Sequence, residues 1–257
     1  MQKFFLITIS FLIAVSSFAQ KQSKKDKRDQ NRKRIDAMIK QEEEGVIAYK
    51  KHVAYGGKLI NNGYGAFLEV GRMQSVKKGM LYQLEFSEYK NPREEKLNNN
   101  FGTPFIYGKE NFFYPIKLGA QQQILIGNKS NKNGVSITGN YGGGISVGLV
   151  RPYYVQISTT GDYVKYQSKD SAKFLTFGNI SAGPGLGKGW SDITVNPGAY
   201  LKTGLRFDYG SYNEVISALE VGISADYYSK KVNIMAHEVG RQFFFTGHVA
   251  IIFGHRK

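Results

Sequence analysis

From about Lys51 onward, apolar and polar side chains alternate with a period of two, the spacing of a strand with one face toward an apolar medium. In 215–228, Val215, Leu219, Val221, Ile223 and Tyr227 share one face and Ala218, Glu220, Gly222, Ser224 and Asp226 share the other. In 195–209, Val195, Ala199, Leu201, Leu205 and Phe207 alternate with Asn196, Gly198, Lys202, Gly204, Arg206 and Asp208. In 135–149, Val135, Ile137, Tyr141, Ile145 and Val147 oppose Ser136, Thr138, Asn140, Gly142, Gly144, Ser146 and Gly148. The pattern predicts eight strands, at 51–60, 64–73, 80–89, 112–126, 135–149, 195–209, 215–228 and 241–254. Tyr153–Ser158 and Phe174–Phe177 are also strand-like, so they either extend the wall or add two strands to make ten.

Connection lengths alternate as well. The second, fourth and sixth, Gln74–Gly79, Gly127–Gly134 and Gly210–Glu214, are short, while the third and fifth, 90–111 and 150–194, are long. Short turns at one end and long loops at the other are the habit of barrels that cross an outer membrane with both termini in the periplasm. The first connection, Asn61-Asn62-Gly63, is a tight hairpin where a long loop was allowed. Aromatics sit near the expected strand ends: Phe207, Tyr209 and Phe253 at the turn end, Tyr227 and Phe243 at the loop end. Interfacial girdles belong there.

Upstream of Lys51 the pattern differs. Residues 1–19 carry Lys3, an apolar run from Phe4 to Val15, and Ser17 and Ala19 placed for cleavage before Gln20, the form of a secretory signal peptide. Residues 20–45 form a basic linker and short helix. Lys21–Arg34 holds eight Lys or Arg against Asp26 and Asp29, a net +6 that reads as a solvated tail. Ile35, Met38 and Ile39 then recur at helical spacing before Glu42–Glu44 and Gly45. Residues 46–257 are the strand-bearing domain. Beyond the leader no apolar stretch is long enough to span a bilayer as a helix, so insertion would use strands.

The chain has no cysteine, which excludes disulfides, a thiolate nucleophile and cysteine-ligated zinc. The net charge of +15 invites a nucleic-acid reading, but an exported chain whose basic run is a tail makes nucleic acid a poor partner; anionic headgroups or cell-wall polymers suit it better. Gly183–Gly189 with Lys188 fails as a phosphate-binding loop, because the pattern needs Gly at 182 and Ser or Thr at 189, where Ala182 and Gly189 stand. His52, His237, His248 and His255 show no metal-ligand spacing. His248 and Ser224 could be drawn as a barrel-rim hydrolase pair, but both fall on the inward face, where polar packing is the commoner role. No catalytic residue, metal site or cofactor is therefore assigned.

Lys58, Lys117, Lys202 and Arg206 fall on the inward face with Glu69, Glu85, Glu220 and Asp226, among Gln121, Gln123, Asn140 and Thr246. Buried charges need partners, and eight strands enclose little more than side chains, so a salt-bridged, largely closed interior is expected. The expectation is an all-β antiparallel transmembrane barrel. A soluble secreted β-sandwich obeys the same alternation and remains the structural rival.

The blocks NNGYGAFLEVGRM, YGKENFFYPIKLGAQQQILIGNKSNKNG, YGGGISVGLVRPYY and GKGWSDITVNPGAYLKTGLRFDYG resemble an uncharacterised outer-membrane β-barrel family of Bacteroidota, over roughly residues 45–257. In size the chain is similar to OmpA- and OmpX-type barrels. The resemblance implies location and fold, and brings no activity or site residues. One departure stands at the C-terminus, where the last aromatic, Phe253, precedes Gly254, His255, Arg256 and Lys257. The functional expectation is a non-enzymatic barrel set in outer-membrane lipids that acts in envelope structure or binds envelope proteins or glycans through loops 90–111 and 150–194. The alternatives are a small-solute pore and a lipid-modifying enzyme.

Overall fold

The structure, a computed structural model, describes residues 28–29, 31–32, 49–75, 77–98, 103–129, 134–166, 174–185, 187–210 and 214–257. The leader at 1–19 and the helix expected at 35–44 lie outside the described residues. The chain divides into two units, Met1–Ala48 and Tyr49–Lys257. In the first, Arg28, Asp29, Asn31 and Arg32 are helical and exposed.

The second unit is a closed antiparallel ring of eight strands. They are β1 (Lys51–Ile60), β2 (Gly63–Ser75), β3 (Lys78–Tyr89), β4 (Asn111–Gly127), β5 (Ser136–Pro152), β6 (Thr194–Asp208), β7 (Val215–Val232) and β8 (Arg241–Arg256). Each pairs with its neighbours in sequence, and β1 closes on β8 from His52↔Arg256 to Ile60↔His248. Closure satisfies every strand edge, the condition for sheet structure to exist in hydrocarbon.

Polarity decides between the two structural readings. Tyr55, Leu68, Leu84, Leu118, Ile145, Leu201, Val221 and Val249, one from each wall strand, are exposed on the outside. Inside, Lys58, Glu69, Glu85, Lys117, Lys202, Glu220 and Asp226 are buried. A water-soluble sandwich would carry the opposite polarity and two open sheets, so that alternative is set aside. Among the described residues no helix is long and apolar enough to cross a membrane.

The long connections fold instead of joining the wall. Tyr154–Ile157 is the centre of a three-stranded sheet flanked by Tyr163–Lys165 and Ile180–Ala182, and Lys96–Leu97 pairs with Phe105–Ile106. The expected segment Phe174–Phe177 is not a strand: it leads into a 3₁₀ turn at Phe177–Asn179, and the strand follows at Ile180. The ten-strand alternative falls for the same reason, since β5 and β6 pair directly from Thr194↔Val150 to Asp208↔Ser136 and leave no gap in the wall. Phe105, Ile106, Tyr153, Val155, Ile157, Phe174 and Ile180 form a separate buried cluster in these loops. Tyr153 Oη accepts the Ile106 N–H at 2.8 Å within it, and Lys109 pairs with Glu94 at 2.6 Å beside it. The loop end of the barrel thus carries a small folded cap.

Candidate functional site: the barrel interior and its closures

Strand alternation aims every second side chain inward, and eight strands leave room for little else. All eight sequence-selected charges point into this space, and they meet in two groups. In the first, Lys58 Nζ lies 2.6 Å from Glu85, and Lys117 Nζ lies 2.8 Å from Asp226 and 3.8 Å from Glu85. In the second, Lys202 Nζ lies 2.7 Å from Glu220, while Arg206 lies 2.8 Å from Glu220 and 2.7 Å from Glu69. Each group holds two cations and two carboxylates, so each is neutral. Neutrality matters because a buried unpaired ion costs several kcal/mol.

The pairs also tie the wall across its interior. Arg206 on β6 grips both oxygens of Glu69 on β2, four strands away around the ring, at 2.7 Å each. Fork-on-carboxylate geometry of this kind fixes orientation as well as charge. Gln83 joins the network by accepting from Gln121 at 2.7 Å and Lys202 at 3.3 Å.

Several members were not selected from sequence. His52 lies 3.0 Å from Glu69, and His248 lies 3.4 Å from Glu220. Parity already placed both inward; only their partners were invisible. Gly71 opposite His52 is required, because a Cβ there would stand 1.9 Å from the imidazole ring. Toward the loop end an aromatic plug of Tyr89, Phe113, Tyr228 and Phe244 closes the interior, with centroids 5.0–5.9 Å apart. Gly148 makes space for it, since a Cβ there would come within 2.6 Å of Phe113 and 3.0 Å of Tyr228. The plug is joined to the charges, as Tyr89 Oη donates to Asp226 at 2.5 Å. At the turn end Arg256 pairs with Asp208, and its guanidinium lies 5.2 Å from the Tyr49 ring.

The serine–histidine pair does not assemble. Ser224 Oγ is held by Thr246 Oγ1 at 2.7 Å, and His248 faces Glu220. Among the described residues no group of three His, Cys, Asp or Glu could hold a metal ion. Of the expected girdle aromatics, Tyr209 and Phe253 are exposed at the turn end and Tyr227 and Phe243 at the loop end, while Phe207 is half-buried.

Closed ring, apolar exterior and ion-paired interior together define a small transmembrane β-barrel. No family model matches the chain, and no curated protein does. Among solved structures it is similar to Neisserial surface protein A, with 12% identity over 81% of this chain and 96% of that one and a TM-score of 0.37. The N-terminal β-barrel domain of Pseudomonas aeruginosa OprF gives 9%, 80%, 99% and 0.36 for the same four quantities. Ail, the attachment invasion locus protein of Yersinia pestis, gives 10%, 82%, 100% and 0.37.

Proposed function

We propose that this chain is a non-enzymatic β-barrel of a bacterial outer membrane, with both termini in the periplasm, that holds a folded cap outside the cell and binds envelope proteins or glycans through it. The Bacteroidota family resemblance points to the same location. The observation that carries the reading is the filled interior. Two neutral ion groups lie between an aromatic plug at one end and the Arg256–Asp208 closure at the other. Such an interior stiffens the wall and leaves the loops as the part free to meet partners. Pinned hydroxyl and imidazole groups at Ser224 and His248 further disfavour a hydrolase.

Planar-bilayer conductance of the purified barrel tests the closed interior: no steady channel is expected, and a stable open one would overturn it. Carbonate washing of isolated membranes tests insertion, with release of the protein as the contrary result. Protease added to whole cells tests orientation, since it should reach the cap and spare the termini.

A further inference from the structure

Eight Lys and Arg side chains are buried among the described residues, and seven of them meet a carboxylate. The eighth is Arg151, only 5% exposed, which pairs with no described carboxylate. Its Nε is buried without a hydrogen-bond partner, and its terminal nitrogens donate to no described residue. An uncompensated buried cation is costly, so something must offset it.

Part of the answer is aromatic. The guanidinium carbon lies 4.1 Å from the Phe112 ring centre, 4.6 Å from Trp190 and 5.6 Å from Tyr114. Tyr114 and Trp190 are themselves stacked at 6.0 Å and 8°. Rings attract a guanidinium through its faces and leave its N–H edge unanswered. A planar fork clamped by its faces is preorganised for two-point contact with an oxyanion. The clamp is shaped locally: Gly189, at φ +87°, lets the 187–192 turn lie against Arg151, where a Cβ would stand 3.3 Å from Arg151 Cγ. Lys188 in the same turn is exposed and adds a second cation. The nearby acids are committed elsewhere, Glu94 to Lys109 and Asp192 to Tyr154 and Lys165.

Position identifies the anion. Arg151 ends β5 with the parity of the outward-facing Ile145, Val147 and Leu149, and it pairs across the strands with Phe112. It therefore stands just past the apolar belt at the loop end, among aromatics of the kind that mark the headgroup level. We propose that Arg151, framed by Phe112, Tyr114 and Trp190, is the anchor of a binding site for the phosphate of a net-anionic membrane-lipid headgroup, one with no cation of its own to neutralise it. The proposal rests on this face meeting lipid, as the functional reading above requires.

Trp190 is the only tryptophan of the chain and is half-exposed, so its fluorescence reports on the site directly. The folded full-length protein in zwitterionic detergent is titrated with phosphatidic acid, with phosphatidylcholine of the same acyl chains, and with inorganic phosphate. Phosphatidic acid should bind roughly tenfold more tightly than phosphatidylcholine, the scale of one charge-assisted contact. That preference should fall to about twofold in Arg151→Gln and persist in Arg241→Gln, an exposed cation on β8, three strands around the ring from β5. Lys188→Gln, on the exposed turn, should weaken the preference without touching the clamp. Equal binding of the two lipids, or an undiminished preference in Arg151→Gln, would overturn the site. Fluorescence changes with inorganic phosphate matching those with lipid would overturn the lipid as its occupant. Carbonate release of the unmodified protein from membranes would instead sink the membrane reading, so the two fail separately.

Discussion

Glu220→Gln probes the interior most directly. Glu220 is fully buried and receives Lys202 at 2.7 Å, Arg206 at 2.8 and 3.0 Å, Asn140 at 3.1 Å and His248 at 3.4 Å. An amide keeps the volume and removes the charge, so packing is preserved while one neutral group becomes +1. Arg206 keeps Glu69 through two contacts of 2.7 Å, but Lys202 loses its paired carboxylate and keeps Gln83 at 3.3 Å and the Phe67 ring at 5.6 Å. Removing one side of a buried pair costs roughly 3–5 kcal/mol, and the surviving Arg206–Glu69 fork places this case near the lower bound, at about 3 kcal/mol. Adding Lys202→Met removes the stranded ammonium and restores neutrality, so the double variant should recover at least about half of that loss. Equilibrium urea unfolding in lipid vesicles, followed by Trp190 fluorescence and gel mobility, measures both. A loss below about 1 kcal/mol in Glu220→Gln, or a double variant whose loss equals the sum of the singles, would refute the charge-neutral grouping.

On the lipid face, Val221→Arg near the middle of β7 should cost about 2–4 kcal/mol in the same assay, while Ser217→Arg near the turn end should cost about 0–1 kcal/mol; equal losses would contradict the assigned register. In the cap, Phe174 is fully buried, so Phe174→Ala should cost about 3–5 kcal/mol locally. Limited proteolysis should then cut 153–193 while the barrel stays intact, and unchanged resistance would mean that the cluster does not hold the cap. Finally, a hydrogen bond from Tyr154, reinforced by Lys165, holds the Asp192 carboxyl below its ordinary value. A depressed carboxyl contributes stability that is complete above its unfolded value near about 3.9 and is lost as the pH falls through its folded value. Trp190 fluorescence should therefore stay level from neutral pH down to about 4 and change below it, and a transition centred above about pH 5 would contradict the assignment.

Some of the site is legible in the sequence. Lys58, Glu69, Glu85, Lys117, Lys202, Arg206, Glu220 and Asp226 were selected because a period of two assigns each an inward or outward direction, whatever lies across the barrel. Partners were not legible: the chain does not say that Arg206 spans the interior to Glu69 while Lys117 turns to Asp226. Nor did it mark Arg151 as distinct, because its three rings come from β4 and from a turn nearly 40 residues downstream.

The sequence by itself therefore determined the strands of the wall, their register of inward and outward faces and the charge of the interior, since these depend on neighbours one to three positions apart. Its one misplacement, Phe174–Phe177 as a strand, and the ten-strand alternative it left open both fell in the long loops, where no period operates and the chain follows whichever surface it packs against. Only the tertiary structure decided that the ring closes at eight strands, that its charges sort into two neutral groups beneath an aromatic plug, and that the loops bury a core of their own. Those outcomes depend on contacts between residues tens to more than a hundred positions apart, which geometry brings together and local pattern does not encode.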